Sequence, residues 1–183
     1  MRYFLIILLA LGLSGKTTWA QVGEKVGEVK VLNVKNDTIN LPMLGKEALL
    51  IFYQDPGHAS QNEDLQDYFK AHPMNSSKIE SYGVVNMAAA PLIPNGMIKR
   101  MARKRTRGTN AQVYFDPNNY LSRGWNLGDV NNASCVIAVD KDRIIRFFKA
   151  GQVTPAEMQQ VIEWVNQNLS LIHISEPTRP ISI

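Results

Sequence analysis

The sequence predicts an α/β domain in which helices cover both faces of one mixed β-sheet. Three observations carry that reading. A nearly continuous apolar run, Leu49-Leu50-Ile51-Phe52-Tyr53, is followed by a turn and a helix; a second strand and helix follow it; and two adjacent strands then lead into a strongly capped final helix. A β-α-β unit makes neighbouring strands parallel, whereas a short turn between strands makes them antiparallel, so the combination gives a mixed sheet.

Taken in order, Gly27 to Val34 and Thr38 to Leu41 alternate weakly around the turn signal Asn36-Asp37, which predicts an N-terminal β-hairpin extension laid against the domain. Ala48 to Tyr53 has the continuous apolarity of a central strand covered on both faces. The loop Asp55-Pro56-Gly57-His58-Ala59 leads to a helix expected to open at Ser60, because Ser60 and Glu63 fit an S-x-x-E capping box. Leu65, Tyr68, Phe69 and His72 share one face of that helix, and Pro73 ends it, with His72 as a C-terminal cap.

Ile79 to Met87 reads as the next strand. After Pro91 and Pro94, Asn95 can cap a helix from Gly96 to Arg105, with Gly108 as its stop. Its periodicity places Met97, Ile98, Met101 and Ala102 inward and Lys99, Arg100, Arg103 and Lys104 outward. Gln112 to Phe115 is a short strand ended by Asp116-Pro117, and Tyr120 to Trp125 a short helix. Ser134 to Val139 and Arg143 to Lys149 form a hairpin across Asp140-Lys141-Asp142. The last helix has Thr154 as N-cap, Pro155 at its first position, Glu157 completing a capping box, and Met158, Val161, Ile162 and Val165 as its buried stripe.

The 183 residues hold one domain, expected between residues 21 and 168. Residues 1–20 read as a secretory signal peptide: Arg2 is the positive region, Phe4 to Leu13 the apolar region, and Thr18-Trp19-Ala20 a cleavage site before Gln21. The apolar run is too short for a comfortable membrane span, so the processed chain is expected to be exported, periplasmic and not membrane-spanning. Leu169 to Arg179 matches, over eleven codons, the translation of a transposon-based sequencing adapter. Residues 169–183 are therefore expected to be a non-native tail.

Setting aside Arg2, Lys16, Arg179 and Glu176 reduces the formal charge from +4 to +2 on 21–168. The basic character is local: Lys99, Arg100, Arg103, Lys104, Arg105 and Arg107 put +6 on nine residues and leave about −4 elsewhere. In a cytosolic protein such a run would suggest nucleic acid; export redirects it toward an anionic envelope component or an acidic protein, and no nucleic acid partner is expected. A solvated basic face is the simpler alternative. Cys135, the single cysteine, can form no internal disulfide, and its neighbours Val136-Ile137-Ala138-Val139 place it in a buried strand as an inert thiol.

This order of elements is the thioredoxin-like three-layer plan, and the chain resembles the YtfJ type of exported thioredoxin-like proteins. The resemblance rests on Leu50-Ile51-Phe52-Tyr53-Gln54-Asp55-Pro56, Tyr82 to Met87 with Ala90-Pro91 and Pro94-Asn95, Asp116-Pro117 with Trp125-Asn126-Leu127, and Val139 to Asp142. Alignment with redox relatives of this fold places their Cys-x-x-Cys pair on Gly57 and Ser60. Thiol–disulfide exchange needs an attacking thiolate and a resolving thiol, and neither position supplies a sulfur. The proline that such relatives carry before the penultimate strand is missing from Val130 to Ser134.

The candidate loop site comprises Asp55, Gly57, His58 and Ser60. A Ser/His/Asp hydrolase would need Ser60 as nucleophile, His58 as base and Asp55 as orienting acid, but Ser60 is assigned to the helix cap. Asp55, His58 and Asp64 lack diagnostic metal spacing, so no metal and no cofactor is expected. The expectation is a redox-inactive, non-catalytic binding or accessory protein of the cell envelope. The alternative is an enzyme with a non-thiol, metal-assisted site in the Asp55 to Ser60 loop.

Overall fold

The computed structural model describes residues 22–74, 76–107 and 111–170. The predicted signal peptide, the Gly108 stop and the tail from 171 onward lie outside them. The described strands are β1 (Lys30–Leu32), β2 (Thr38–Asn40), β3 (Ala48–Gln54), β4 (Ile79–Asn86), β5 (Gln112–Asp116), β6 (Cys135–Val139) and β7 (Ile145–Ala150). The helices are α1 (Glu63–Ala71), α2 (Asn95–Thr106), α3 (Tyr120–Gly124) and α4 (Pro155–Ser170). All seven strands join one sheet in the order β2-β1-β5-β4-β3-β6-β7, with β3, β4 and β5 parallel and the other pairings antiparallel.

β3 is the centre, as its composition predicts. Ile51 lies opposite Tyr82 on one side and Ile137 on the other, and every residue from Ala48 to Tyr53 is buried. Strand alternation then sorts the core into two layers. Leu49, Ile51 and Tyr53 pack with Val26, Val29, Leu121 and Trp125, while Leu50 and Phe52 pack with Leu65, Val161, Ile162 and Val165. Each such side chain, wholly withdrawn from water, stabilises the fold by roughly 1.5–3 kcal/mol. A smaller cluster of Val85, Met87, Ile98 and Phe115 lies under α2.

The N-terminal β-hairpin extension is present as expected: β1 and β2 pair antiparallel, and the hairpin joins the sheet through Leu32 opposite Phe115. β1 is shorter than predicted: Gly27 O accepts from Trp125 Nε1 (2.9 Å) instead of joining the strand, and the segment before it is tied by backbone bonds from Gly23 and Val26 to Ile145 and Arg143. This extended segment and α3 together cover one face. They approach so closely that a Cβ at Gly124 would sit 2.7 Å from Val29 Cγ1, which is why glycine stands there.

α4 begins as predicted, with Thr154 N–H donating to Glu157 Oε2 (2.7 Å) and Glu157 N–H to Thr154 Oγ1 (3.3 Å). Hydrogen bonding from Lys149 holds the Glu157 carboxyl below its ordinary range. The helix runs two residues past Asn168, to Ser170. His72 closes α1 as expected, its Nδ1 lying 2.9 Å from Tyr68 O and its ring stacked on Tyr68.

Two predicted details are corrected. α1 starts at Glu63 and Ser60 does not cap it; Asn62, left-handed at φ 64°, occupies the cap position, and the Asp55-to-Asn62 stretch is wound into tight turns instead. On α2, Ile98 is buried and Ala102 half-buried, but Met97 and Met101 are exposed (57% and 46%). The cluster beneath α2 is small enough to be closed by one column of side chains, so the methionines are left to solvent.

Candidate functional site

The end of β3 delivers Asp55 into a 3₁₀ turn spanning Pro56–His58, facing the segment before β6. Asp55 is buried. Its Oδ1 accepts from Gly57 N–H (2.7 Å), its Oδ2 from Asn132 N–H (2.8 Å), and the same Oδ2 lies 3.1 Å from His58 Nδ1. Charge-assisted bonds of this kind are roughly twice as strong as neutral ones, so Asp55 pins both the turn and the neighbouring loop. The His58 side chain is 40% exposed, which leaves its second ring nitrogen directed away from the carboxylate.

The rest of the loop is tied to the same segment. Ser134 Oγ donates to His58 O (2.8 Å), and Ser134 N–H donates to Gln61 Oε1 (2.9 Å). Asn62 is 1% exposed; its Nδ2 donates to Gly151 O (3.0 Å) and Ser134 O (3.3 Å), and its Oδ1 accepts from Val153 N–H (2.7 Å). One side chain thereby joins the start of α1 to the chain before β6 and after β7. Val130 to Ser134, the stretch that lacks the relatives' proline, is bonded directly to the loop.

The sequence-predicted loop residues therefore meet only in part. Asp55, Gly57 and His58 form one hydrogen-bonded unit. Ser60 is exposed, and among the described residues no hydrogen bond joins its hydroxyl to His58. No hydrolase triad is assembled. Nor do any three His, Cys, Asp or Glu side chains among the described residues converge so as to hold a metal ion, so the metal-assisted alternative finds no ligand set at Asp55, His58 and Asp64.

Cys135 opens β6, opposite Tyr53, and is 1% exposed. Burial pushes its thiol up to about 12, so the thiolate needed for attack is scarce at neutral pH. Two polar residues that the sequence reading did not assign to the site region are Asn62 and Asp116. Asp116, with no exposed surface, accepts from Tyr53 Oη (3.0 Å), Tyr120 N–H (2.8 Å), Leu121 N–H (2.9 Å) and Asn118 N–H (3.2 Å). The Asp-Pro-Asn-Asn run ahead of a short helix was the available signal for this cap.

The basic run divides into two groups. Lys99 Nζ donates to Asn36 Oδ1 and lies over the Phe115 ring, Arg103 donates to Val34 O (3.2 Å), and Arg105 faces Glu63 at 3.8 Å. These three strap α2 to the hairpin and to the start of α1. Arg100, Lys104 and Arg107 are exposed, and among the described residues Arg100 and Lys104 make no hydrogen bond or ion pair.

Comparison with known proteins agrees with this architecture. The pneumococcal exposed lipoprotein thioredoxin (Etrx1) of Streptococcus pneumoniae superposes with a TM-score of 0.56 at 12% identity, covering 77% of this chain and 99% of that one. A peroxiredoxin-like protein from Aquifex aeolicus gives 0.57 at 12% identity, covering 80% and 86%. At such identities the likeness shows the thioredoxin-like fold. With a single cysteine, the chain has no Cys-x-x-Cys motif. An uncharacterized protein of Haemophilus influenzae is 27% identical over 107 residues, which span 57% of this chain and little more than half (56%) of that relative. A family model described as "Bacterial protein of unknown function (YtfJ_HI0045)" matches residues 55–168, more than half of the chain, and the chain belongs to that family.

Proposed function

We propose that this chain is an exported, redox-inactive binding or accessory protein of the cell envelope. The observation that carries the reading is the loop itself. Where a thiol pair would align, Gly57 and Ser60 stand in a turn pinned by structural bonds to Asp55, the His58 carbonyl and Gln61, while the single thiol is buried elsewhere. A domain that keeps the scaffold and spends its reactive loop on internal hydrogen bonds is suited to holding a surface in place. Export is supported by the three-part pattern of Arg2, Phe4 to Leu13 and Thr18-Trp19-Ala20.

Export is tested by fusing residues 1–25 to a phosphatase that is active only outside the cytoplasm. Activity, with cleavage before Gln21 found by N-terminal sequencing, is the expected result. An inactive fusion retained in the cytoplasm would remove export from the account.

A second reading, an enzyme, has one observation in its favour: the 3.1 Å contact between buried Asp55 and half-exposed His58, which orients an imidazole outward. Among the described residues no hydroxyl or thiol is hydrogen-bonded to the His58 ring. Turnover of activated esters that disappears in His58→Ala would favour it over the binding role.

A further inference from the structure

The outward side of α2 combines exposed apolar and unpaired basic side chains. Met97 and Met101, like Arg100 and Lys104, are four residues apart, and Met97–Arg100 and Met101–Lys104 are three apart, so the four occupy one face. Met97 and Met101 are 57% and 46% exposed, and Leu92, in the turn leading into the helix, is 96% exposed. These are three of the six large apolar side chains exposed among the described residues, gathered within ten positions. The opposite side of α2 is already satisfied: Ile98 enters the core and Lys99, Arg103 and Arg105 are strapped down. The free face therefore does not contribute to the fold.

We propose that this face of α2 docks on the surface of an anionic phospholipid bilayer, with Leu92, Met97 and Met101 entering the boundary between headgroups and acyl chains and Arg100 and Lys104 meeting the phosphates. Charge complementarity selects this occupant. The segment from Lys99 to Arg107 contains six cations and no acidic residue. Flexible, unbranched methionines flanked by cations suit a fluid anionic interface, where basic side chains on an amphipathic helix gain from the headgroup charge. Insertion is shallow, because the inner side of the helix stays in the protein. The sequence-based expectation that the apolar side of α2 is consumed by the core is thus replaced by a division of labour between Ile98 and the two methionines.

This inference names the partner class for the binding role proposed above and rests on that reading. Its test is independent of export, so its failure leaves the phosphatase-fusion result untouched. Cosedimentation of the full chain is measured with vesicles of phosphatidylcholine alone and with 30% phosphatidylglycerol. Comparing variants of the same chain isolates α2 from the apolar run at Phe4 to Leu13.

Arg100→Gln with Lys104→Gln is expected to weaken partitioning into the anionic vesicles roughly thirty-fold, since each surface cation contributes about 1 kcal/mol there. Met97→Ser with Met101→Ser is expected to weaken it about tenfold, from lost apolar burial. Both pairs are solvent-exposed, so unfolding midpoints should stay at the wild-type value and separate lost docking from lost structure. Equal partitioning of the wild type into neutral and anionic vesicles, or unchanged partitioning of the Gln variant, would overturn the proposal. So would binding to a soluble polyanion without binding to vesicles.

Discussion

Replacing Asp116 with alanine lowers the free energy of unfolding by about 3 kcal/mol, read from urea denaturation, and the melting temperature by roughly 10 °C. The side chain has no exposed surface and accepts four hydrogen bonds, three from backbone N–H groups at the start of α3 and one from Tyr53. Alanine removes every one of these acceptors. A donor left buried without a partner costs roughly 1–3 kcal/mol, whereas the N–H groups of the exposed residues Asn118 and Tyr120 are within reach of water, which keeps the total near about 3 kcal/mol. Burial, reinforced by the Asp116 charge, pushes the Tyr53 phenol upward, so it remains a donor across the neutral range. Tyr53→Phe removes only the last of the four bonds and should cost about 1 kcal/mol. Because the two residues share a bond, the double variant should lose less than the sum of the singles. Strict additivity would show that the Tyr53–Asp116 bond contributes nothing.

The second large effect belongs to Asn62. Asn62→Ala loses the contacts to Gly151 O, Ser134 O and Val153 N–H in a site closed to water, and it places a Cβ-bearing residue without a local hydrogen-bonding side chain at φ 64°. A destabilisation of about 3 kcal/mol is expected. Asn62→Gly loses the same bonds but adopts the left-handed conformation freely, so it should be less damaging by about 1 kcal/mol. The order of urea midpoints is therefore Ala below Gly below wild type. Equal midpoints for all three would show that the junction between α1 and the segments around β6 and β7 is not held by this side chain.

How much of this was legible in the sequence follows from where each interaction partner lies. β3, α4 and the β6–β7 hairpin depend on signals within a few residues, such as the Leu49 to Tyr53 run and the Thr154/Glu157 box, and the structure matches them. The Ser60/Glu63 pattern is purely local, whereas the start of α1 is decided by partners of Asn62 that lie 72 to 91 residues away. Similarly, the periodicity of α2 marks four apolar residues on the helix but not the depth of the core beneath it. Only the small cluster at Val85, Met87 and Phe115 explains why Met97 and Met101 stay outside. The absence of a thiol pair was fully legible, since it depends on residue identity alone.

In this thioredoxin-like scaffold the loop after β3 is a hydrogen-bonded junction, tied by Asp55, Asn62 and Ser134. The most direct measurement is the reduction of insulin disulfides by dithiothreitol with and without the protein. A rate equal to that of dithiothreitol alone is expected at every protein concentration, for the wild type and for Cys135→Ala alike. A rate that rises in proportion to the protein and is lost in Cys135→Ala would contradict it, because the buried thiol would then be an active group.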